Sequence, residues 1–197
     1  MSAPSGAVAG PDGRLRCPWG LSAEDYVPYH DTEWGRPLHG DDELFERLCL
    51  EAFQSGLSWL TILRRREGFR TAFKGFSIPA VAAFTEADAE RLLGDTSIIR
   101  NRAKIEASIA NARIAAELGA GELDALIWSY APDPAQRPAP RTLADVPATT
   151  PESTALSKDL KKRGFRFVGP TTAYALMQAC GLVDDHLVDC VARGARA

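Results

Sequence analysis

The stretch "TPESTALSKDLKKRGFRFVGPTTAYALMQACG", residues 150–181, carries the strongest local signal in the chain. Thr150 can cap a helix, and Pro151 suits the first helical position. Gly164 predicts the end of that helix, because glycine is favoured just past a helix terminus. Pro170 begins a second helix that stops at Gly181. The pattern predicts two helices joined by the glycine-bracketed hairpin "GFRFVG" at 164–169.

This hairpin has the features of a phosphate-binding element. The free N–H groups at a helix N-terminus attract anions, and here they follow Gly169 and include that of Thr171. Four basic residues lie in or just before the hairpin: Lys161, Lys162, Arg163 and Arg166. An ordinary pair of packed helices would show a similar pattern. The residues alone therefore leave both a nucleic-acid backbone clamp and simple helix packing open.

Most other segments also show helical spacing of apolar residues. Residues 41–56 begin with an aspartate cap, and "LSWLTILRRREG" continues after a short turn. Thr85 and Asp88 stand in the register of a capping box at the start of 85–94. Longer helices are predicted over 98–119 and 122–130. The class is all-α.

Composition and the positions of the proline- and glycine-rich segments predict a single domain. The Pro-rich segment 131–141 must be a loop, residues 1–14 read as a flexible tail, and 15–192 form one helical domain. The net charge is −3, so the whole chain does not favour a polyanion partner, although basic residues cluster at 63–67, 99–104 and 158–166.

No apolar run is long enough to cross a bilayer, and the N-terminus lacks the pattern of a signal peptide. No membrane partner is therefore expected, and the predicted compartment is the cytoplasm. Four cysteines without a secretory signal argue against a disulfide scaffold but allow metal binding.

Two pairs of metal-ligand residues stand at opposite ends of the chain. The segment "DDHLVDC" at 184–190 places His186 and Cys190 one helical turn apart, and Cys17 and His30 form an earlier pair. Together they would make a saturated tetrahedral zinc site with no open position. The alternative is accidental spacing of core cysteines and locally satisfied histidines. Cys49 and Cys180 are expected in the core, and His39 in a loop.

Five motifs, taken together and in order, closely resemble the bacterial 3-methyladenine DNA glycosylase I family. They are "CPWG", "YHDTEWG", "LFERLCLEAFQSGLSW", "ALSKDLKKRGFRFVG" and "MQACGLVDDHLVDC". That family belongs to the helix-hairpin-helix glycosylases, and the resemblance runs from about Cys17 to Cys190. It implies a helix-hairpin-helix at about 151–181 and a structural zinc staple that joins the N- and C-terminal segments through Cys17, His30, His186 and Cys190.

The resemblance implies base-excision repair of alkylated double-stranded DNA. The enzyme would flip N3-methyladenine into a pocket and hydrolyse its N-glycosidic bond without a lyase step, releasing free 3-methyladenine. A monomer is expected. Leu57 would fill the vacated stack. The hairpin would hold DNA through Gly164, Arg166, Gly169 and Thr171.

The pocket residues also follow from the resemblance. Trp19, Trp59 and Tyr26 are base-binding candidates, although Tyr26 could equally be packing, and Glu51 and Tyr29 are catalytic candidates. From the residues alone, Glu51 would pair with Arg47 on a helix surface. The resemblance instead implies that its carboxylate recognises the cationic methylated base, and that neutral adenine would leave Glu51 a poorly compensated buried charge.

Other residues receive weaker assignments. Trp34 and Trp128 are expected to be packing residues. Asp184 and Asp185 are candidates for stabilising the sugar cation, or simply cap a helix bearing His186.

Two other classes of function compete with the glycosylase. A noncatalytic, zinc-stabilised helix-hairpin-helix DNA-binding module would also need the clamp and the metal. It would not need a buried carboxylate among aromatic rings. A zinc hydrolase fits poorly, because four protein ligands leave no position for an activated water.

Overall fold

The computed structural model describes residues 6–194 of the chain. Ten α-helices make up nearly half of this part and far more of it than the two short strands, which confirms the predicted helical class. In chain order they are α1 (Tyr26–Thr32), α2 (Asp41–Gln54), α3 (Trp59–Leu63), α4 (Arg66–Ala72), α5 (Ile78–Ala82), α6 (Glu86–Gly94), α7 (Arg102–Ala116), α8 (Glu122–Trp128), α9 (Pro151–Lys162) and α10 (Pro170–Ala179).

The predicted flexible tail differs from the structure where the structure describes it. Residues 1–5 lie outside the described range, but β1 (Val8–Ala9) pairs antiparallel with β2 (Leu15–Arg16). The physical reason is the guanidinium of Arg16, which is almost fully buried and donates to the carboxylates of both Asp12 and Asp31. This charged contact ties the N-terminal segment to α1.

Local capping explains several helix boundaries. Thr150 accepts from the Ser153 amide at the start of α9, and Thr85 and Asp88 form the predicted capping box of α6. The helix predicted from residue 98 begins only at Arg102, because Asn101 caps it by accepting from the Lys104 amide. A break between α3 and α4 likewise divides the segment predicted as one helix.

Helix α2 is the central helix of the core. Its residues from Leu44 to Phe53 are almost all buried, and it contacts α3, α5, α7, α8 and α10. An aromatic cluster packs against its C-terminal half, with Phe53 4.6 Å from Phe69 between ring centroids. Helices α9 and α10 pack against each other. The C-terminal end of α2 and one face of α10 are thereby brought together.

Two further segments bear on the site. The residues from Asp184 to Cys190 form turns rather than the predicted helix, so His186 and Cys190 are not one helical turn apart. The Pro-rich loop contains a short 3-10 turn, Pro134–Gln136, and is anchored by Arg137. No helix within residues 6–194 is long and apolar enough to span a membrane.

Candidate active site and metal cluster

A cavity of about 330 Å³ opens between the 3-10 turn Pro18–Leu21, α1, the C-terminal end of α2, the start of α3 and α10. This volume suits one small ligand. Five aromatic side chains line it: Trp19, Tyr26, Tyr29, Trp34 and Trp59. The other lining residues are Ser22, Glu51, Gln54, Ala175 and Gln178.

The aromatic rings form a continuous wall. Trp19 contacts Tyr26 edge-on with 5.6 Å between ring centroids, and Trp34 with 5.0 Å. Tyr29 lies 5.5 Å from Trp59 on the other side. The structure thus brings Trp19, Tyr26, Tyr29 and Trp59 together as predicted, and it places Tyr26 on the cavity wall. Such faces attract cations and flat rings.

Glu51 is the only acidic side chain on this wall within the described residues. It is 5 % exposed, and no described group is hydrogen-bonded to its carboxyl. Burial raises the pKa of Glu51 to about 8, and the nearby charge of Arg47 only partly opposes this rise. The empty cavity therefore holds a largely protonated acid at neutral pH.

The prediction of a surface ion pair between Glu51 and Arg47, made from the residues alone, is wrong. Arg47 instead donates to Glu33 at 3.0 Å, and Arg66 holds the same carboxylate. Arg47 lies 6.0 Å from the Tyr29 ring centroid and is itself buried. Two residues one turn apart on a helix can form an ion pair only if their side chains turn toward each other. Here the packing of α1 and α4 turns the Arg47 guanidinium toward Glu33 instead.

Tyr29 stands beside Glu51 with 3 % of its surface exposed. Burial raises the pKa of the Tyr29 hydroxyl, and the neighbouring Glu51 raises it further. The side chain is therefore a neutral hydrogen-bonding group at physiological pH.

Sequence reasoning missed three prominent members of the wall. Trp34 was expected to be a packing residue, yet it lines the cavity, whereas Trp128 packs under His39 and donates to the Leu38 carbonyl. Gln54 and Gln178 also line the cavity. Their spacing offers one signal: Gln54 follows Glu51 by three residues, which places both on the same face of α2.

Leu57 projects from the turn that follows α2. Its side chain is 40 % exposed, and Gly56 before it adopts a left-handed φ of +82°. Lys104 on α7 supports this turn, because its ammonium donates to the carbonyls of Phe53 and Ser55 at 2.8 and 2.6 Å. The structure thus places an exposed apolar side chain on a braced turn at the end of the helix that carries Glu51.

The connection between α9 and α10 is held from behind by α7. Asn111 is buried and bonds both the amide and the carbonyl of Arg166, at 2.8 and 3.1 Å. Ser157 donates to the Val168 carbonyl at 2.6 Å. Gly164 has a φ of +97°, and a Cβ there would lie 3.1 Å from the Ile114 side chain of α7. The backbone is therefore rigid, while Arg166, Phe167 and Thr171 are exposed on its outer side and Gly169 caps α10.

The two Cys/His pairs converge into one cluster. The ligand atoms of Cys17, His30, His186 and Cys190 all lie within 4.8 Å of one another, and all four residues are buried. Cys190 Sγ stands 3.5 Å from His30 Nε2 and 3.6 Å from His186 Nδ1. A tetrahedral zinc site has ligand atoms about 3.3–3.8 Å apart. The donor set and these distances fit zinc.

The groups around the cluster also suit a metal. His30 Nδ1 bonds the Asp31 carboxylate at 2.7 Å, and His186 Nε2 donates to the Trp34 carbonyl at 3.0 Å, so each ring turns its other nitrogen to the cluster. A hydrogen bond from Cys17, and then those of the two histidines, lower the pKa of the Cys190 thiol. Gly20 permits the close packing, since a Cβ there would lie 2.7 Å from the His30 ring.

A helical domain that surrounds a cavity with aromatic faces and one uncompensated carboxyl, beside a turn with an exposed leucine, has the architecture of a DNA N-glycosylase. Comparison with known proteins agrees. Residues 19–193 match the family described as methyladenine glycosylase. The chain belongs to the methyladenine glycosylase family, whose members are N-glycosylases.

Two bacterial relatives are similar over nearly their whole length. The chain is 48% identical to DNA-3-methyladenine glycosylase 1 of Escherichia coli over 178 residues, covering 89% of this chain and 95% of that protein. It is 46% identical to DNA-3-methyladenine glycosylase of Haemophilus influenzae, covering 89% and 96%.

Solved structures show the same fold. A Tyr-to-Phe variant of 3-methyladenine DNA glycosylase I in complex with 3-methyladenine superposes with a TM-score of 0.83 at 35% identity, covering 92% of this chain and 99% of that one. The Staphylococcus aureus 3-methyladenine DNA glycosylase I gives 0.82 at 35% identity, covering 92% and 98%.

Proposed function

We propose that the protein is a base-excision repair enzyme that flips N3-methyladenine out of alkylated double-stranded DNA and hydrolyses its N-glycosidic bond, releasing free 3-methyladenine. The observation that carries this proposal is Glu51, a buried carboxyl without a hydrogen-bond partner on a wall of aromatic rings. The relatives named for 3-methyladenine support the choice of base.

The pocket selects its base by charge. Methylation at N3 makes the base in DNA cationic, and a cation provides the partner that the Glu51 carboxylate lacks in the empty cavity. Trp19 and Trp59 offer ring faces to the same positive charge. Neutral adenine provides no such charge, so Glu51 would stay protonated beside it and the normal base would gain no ion pair in the pocket.

The reaction then needs little chemistry from the protein. The cationic base is already a good leaving group, so no side chain has to protonate it. Binding that favours the dissociating state suffices, with water completing the hydrolysis. We assign Glu51 and Tyr29 to this step as the carboxyl and hydroxyl that hold the base.

The positions of the lysines support hydrolysis without a lyase step. A lyase would need an amine in the pocket to attack the sugar, and no lysine lines the cavity within the described residues. The buried Lys104 is engaged with the carbonyls of Phe53 and Ser55 instead.

We assign DNA binding to the α9–α10 connection as a helix-hairpin-helix. Its backbone amides at Gly169 and Thr171 would meet phosphates, together with the exposed Arg166, whereas the Gly164 amide donates to the Lys161 carbonyl at 2.9 Å and shapes the turn. Leu57 would enter the stack that the flipped nucleotide leaves. The rigid support by Asn111 keeps these groups in one register.

Zinc is proposed as a structural ion held by Cys17, His30, His186 and Cys190. When bound, it supplies a cross-link rather than a Lewis acid, because four protein ligands fill its tetrahedral shell. We further propose that the enzyme acts as a monomer in the cytoplasm, where bacterial chromosomal DNA is found.

Base release tests the function directly. Methylated duplex DNA is incubated with the wild-type protein or with Glu51→Gln, and the freed bases are resolved by chromatography. Wild type should release 3-methyladenine, and Glu51→Gln should do so at least about 100-fold more slowly, because it cannot offer a negative charge.

The other outcomes separate the rival roles. Release that ignores the substitution would remove Glu51 from the mechanism while keeping the enzyme. DNA binding without any release would favour the noncatalytic DNA-binding module.

A further inference from the structure

Asp185 lies at the centre of a buried hydrogen-bond network beside the cavity. It is 4 % exposed and accepts from three side chains: the hydroxyl of Tyr174, the Gln178 amide nitrogen at 2.9 Å and Arg137 Nη2 at 2.8 Å. It does not line the cavity. Its oxygens are therefore occupied by these donors and are not presented to a sugar cation, which was one role expected for it.

Gln178 connects this network to the cavity. It lines the wall from α10, one helical turn after Tyr174. A carboxylate can only accept hydrogen bonds, so the amide must turn its NH₂ group toward Asp185. The carbonyl oxygen at the other end of the same planar amide has no hydrogen-bond partner among residues 6–194. Asp185 thus determines which end of the amide remains available.

We propose that Asp185 is a positioning residue that fixes the Gln178 carbonyl oxygen as a hydrogen-bond acceptor for the exocyclic amino group of the bound base, which makes Gln178 a specificity-determining residue. This inference rests on the proposed function. The 6-amino group is the sole N–H donor of a methylated adenine in DNA. Its two hydrogens can be shared between Glu51 and Gln178.

The same arrangement rejects a guanine lesion. A 3-methylguanine carries an oxygen at the 6-position, and that oxygen would face an acceptor fixed in place. An asparagine at residue 185 could instead offer its own NH₂ group, which would let Gln178 turn its amide over and present a donor.

Arg137 stabilises the buried carboxylate of Asp185. Its guanidinium compensates the charge of Asp185 and also donates to the Tyr174 hydroxyl at 3.0 Å. Arg137 comes from the Pro-rich loop, so this loop contributes to base selection without reaching the cavity. The loop thereby acquires a role at the site that its composition does not reveal.

The test measures two bases in one reaction. Methylated duplex DNA contains both 3-methyladenine and 3-methylguanine, and their release rates are compared for wild type, Asp185→Asn, Gln178→Ala and the double variant. Asp185→Asn should lower the ratio of 3-methyladenine to 3-methylguanine release at least about tenfold. In the Gln178→Ala background the same substitution should leave the ratio unchanged, because Asp185 acts through Gln178.

Asp184→Asn is the matched control. It removes the same charge one residue earlier, where the carboxylate accepts from the His186 and Gly194 amides rather than from Gln178. Its ratio should equal that of wild type. A general loss of folding would lower both rates together and leave the ratio intact.

Three results would overturn the inference. One is an unchanged ratio of 3-methyladenine to 3-methylguanine release in Asp185→Asn. Another is that Asp185→Asn lowers this ratio equally in the wild-type and in the Gln178→Ala background. If Asp185→Asn does not fold, the Gln178→Ala variant alone tests the proposal. It should slow 3-methyladenine release at least about tenfold more than 3-methylguanine release. The third contradicting result is equal slowing of the two bases in this variant. Absence of any release by wild type would overturn the proposed function as well, whereas the first two results leave that function intact.

Discussion

At the scale of single residues, the selectivity proposed for this pocket depends on Glu51, whose burial lowers the stability of the folded protein as the pH rises. Its carboxyl is buried without a hydrogen-bond partner, and its pKa is raised from 4.5 to about 8. The folded protein therefore keeps a proton that the unfolded chain loses above pH 4.5. Between these values the free energy of unfolding falls as the pH rises, since the folded state binds more protons. A partner for the carboxylate arrives only with a cationic ligand.

Glu51→Gln should consequently stabilise the empty protein at high pH. The two proteins should be similar in stability near pH 5, and the variant should gain on the order of 3–4 kcal/mol by pH 8. Urea unfolding across this range measures the difference. The exposed Glu24→Gln serves as the control and should show no such trend. A stability difference that does not grow with pH would contradict the account of Glu51.

Leu57 belongs to the same scale, because its proposed role depends on one side chain that is 40 % exposed. Leu57→Ala should lower excision from duplex DNA roughly tenfold and leave excision from single-stranded DNA almost unchanged, since only a duplex has a stack to keep open. Single-turnover rates on the two substrates test this. Leu143→Ala, at 46 % exposure and outside the cavity lining, should affect neither rate. Equal losses on both substrates would mean that Leu57 is not a wedge.

At the scale of elements, α7 supports both parts of the proposed DNA-binding surface. Asn111 fixes the α9–α10 connection through Arg166, and Lys104 fixes the turn before Leu57. Lys104 also satisfies carbonyls at the C-terminal end of α2, where cations are favoured. Its pKa is lowered by burial, which reflects the desolvation of its ammonium group. One helix thus sets the distance between the turn and the hairpin.

Lys104→Met should destabilise the protein by about 1–3 kcal/mol, because two carbonyls lose a charged donor. Amide hydrogen exchange at residues 54–58 should accelerate more than exchange in α9. Lys158→Met, on the exposed face of α9, is the matched substitution and should change neither quantity. Unchanged exchange in the Leu57 turn would show that Lys104 does not brace it.

The helices themselves were largely predictable from the sequence. Thr150, Thr85 and Gly164 act through their nearest neighbours in the chain, so their patterns carry over directly into structure. The failures lie where another element intervenes. Asn101 shortened the helix predicted from residue 98, and the segment with His186 and Cys190 forms turns because its side chains are held by distant residues rather than by a helical repeat.

At the scale of the whole molecule, the Cys/His cluster joins the two ends of the chain and also supports the pocket. Trp34 stands 4.7 Å from His186 between ring centroids, and Trp19 stands 5.0 Å from His30. Both tryptophans line the cavity. Loss of the cross-link would therefore loosen the aromatic wall as well as the N-terminal segment.

The proposed staple predicts one zinc ion per chain in the wild-type protein. Cys190→Ser should bind well below one zinc ion per chain and should have a lower melting temperature. A chelator should destabilise wild type but have little effect on the variant. Cys49→Ser is the control, since Cys49 is buried in the core outside the cluster and its variant should keep one zinc ion. Metal content by emission spectrometry, together with thermal unfolding, measures both effects. Full zinc occupancy in Cys190→Ser would contradict the proposed staple.

Local spacing and the order of motifs were enough to predict the helical class, the caps at Thr85 and Thr150 and the residue types that gather in the cluster, whereas the aspartate cap expected for α2 is replaced by Gly40. The turn of Arg47 toward Glu33, the place of Trp34 on the cavity wall and the contact of Asp185 with Gln178 became visible only once the helices were packed. These three features share one cause. Burial, and hence pKa and the need for a hydrogen-bond partner, is set by elements that pack together from distant parts of the chain.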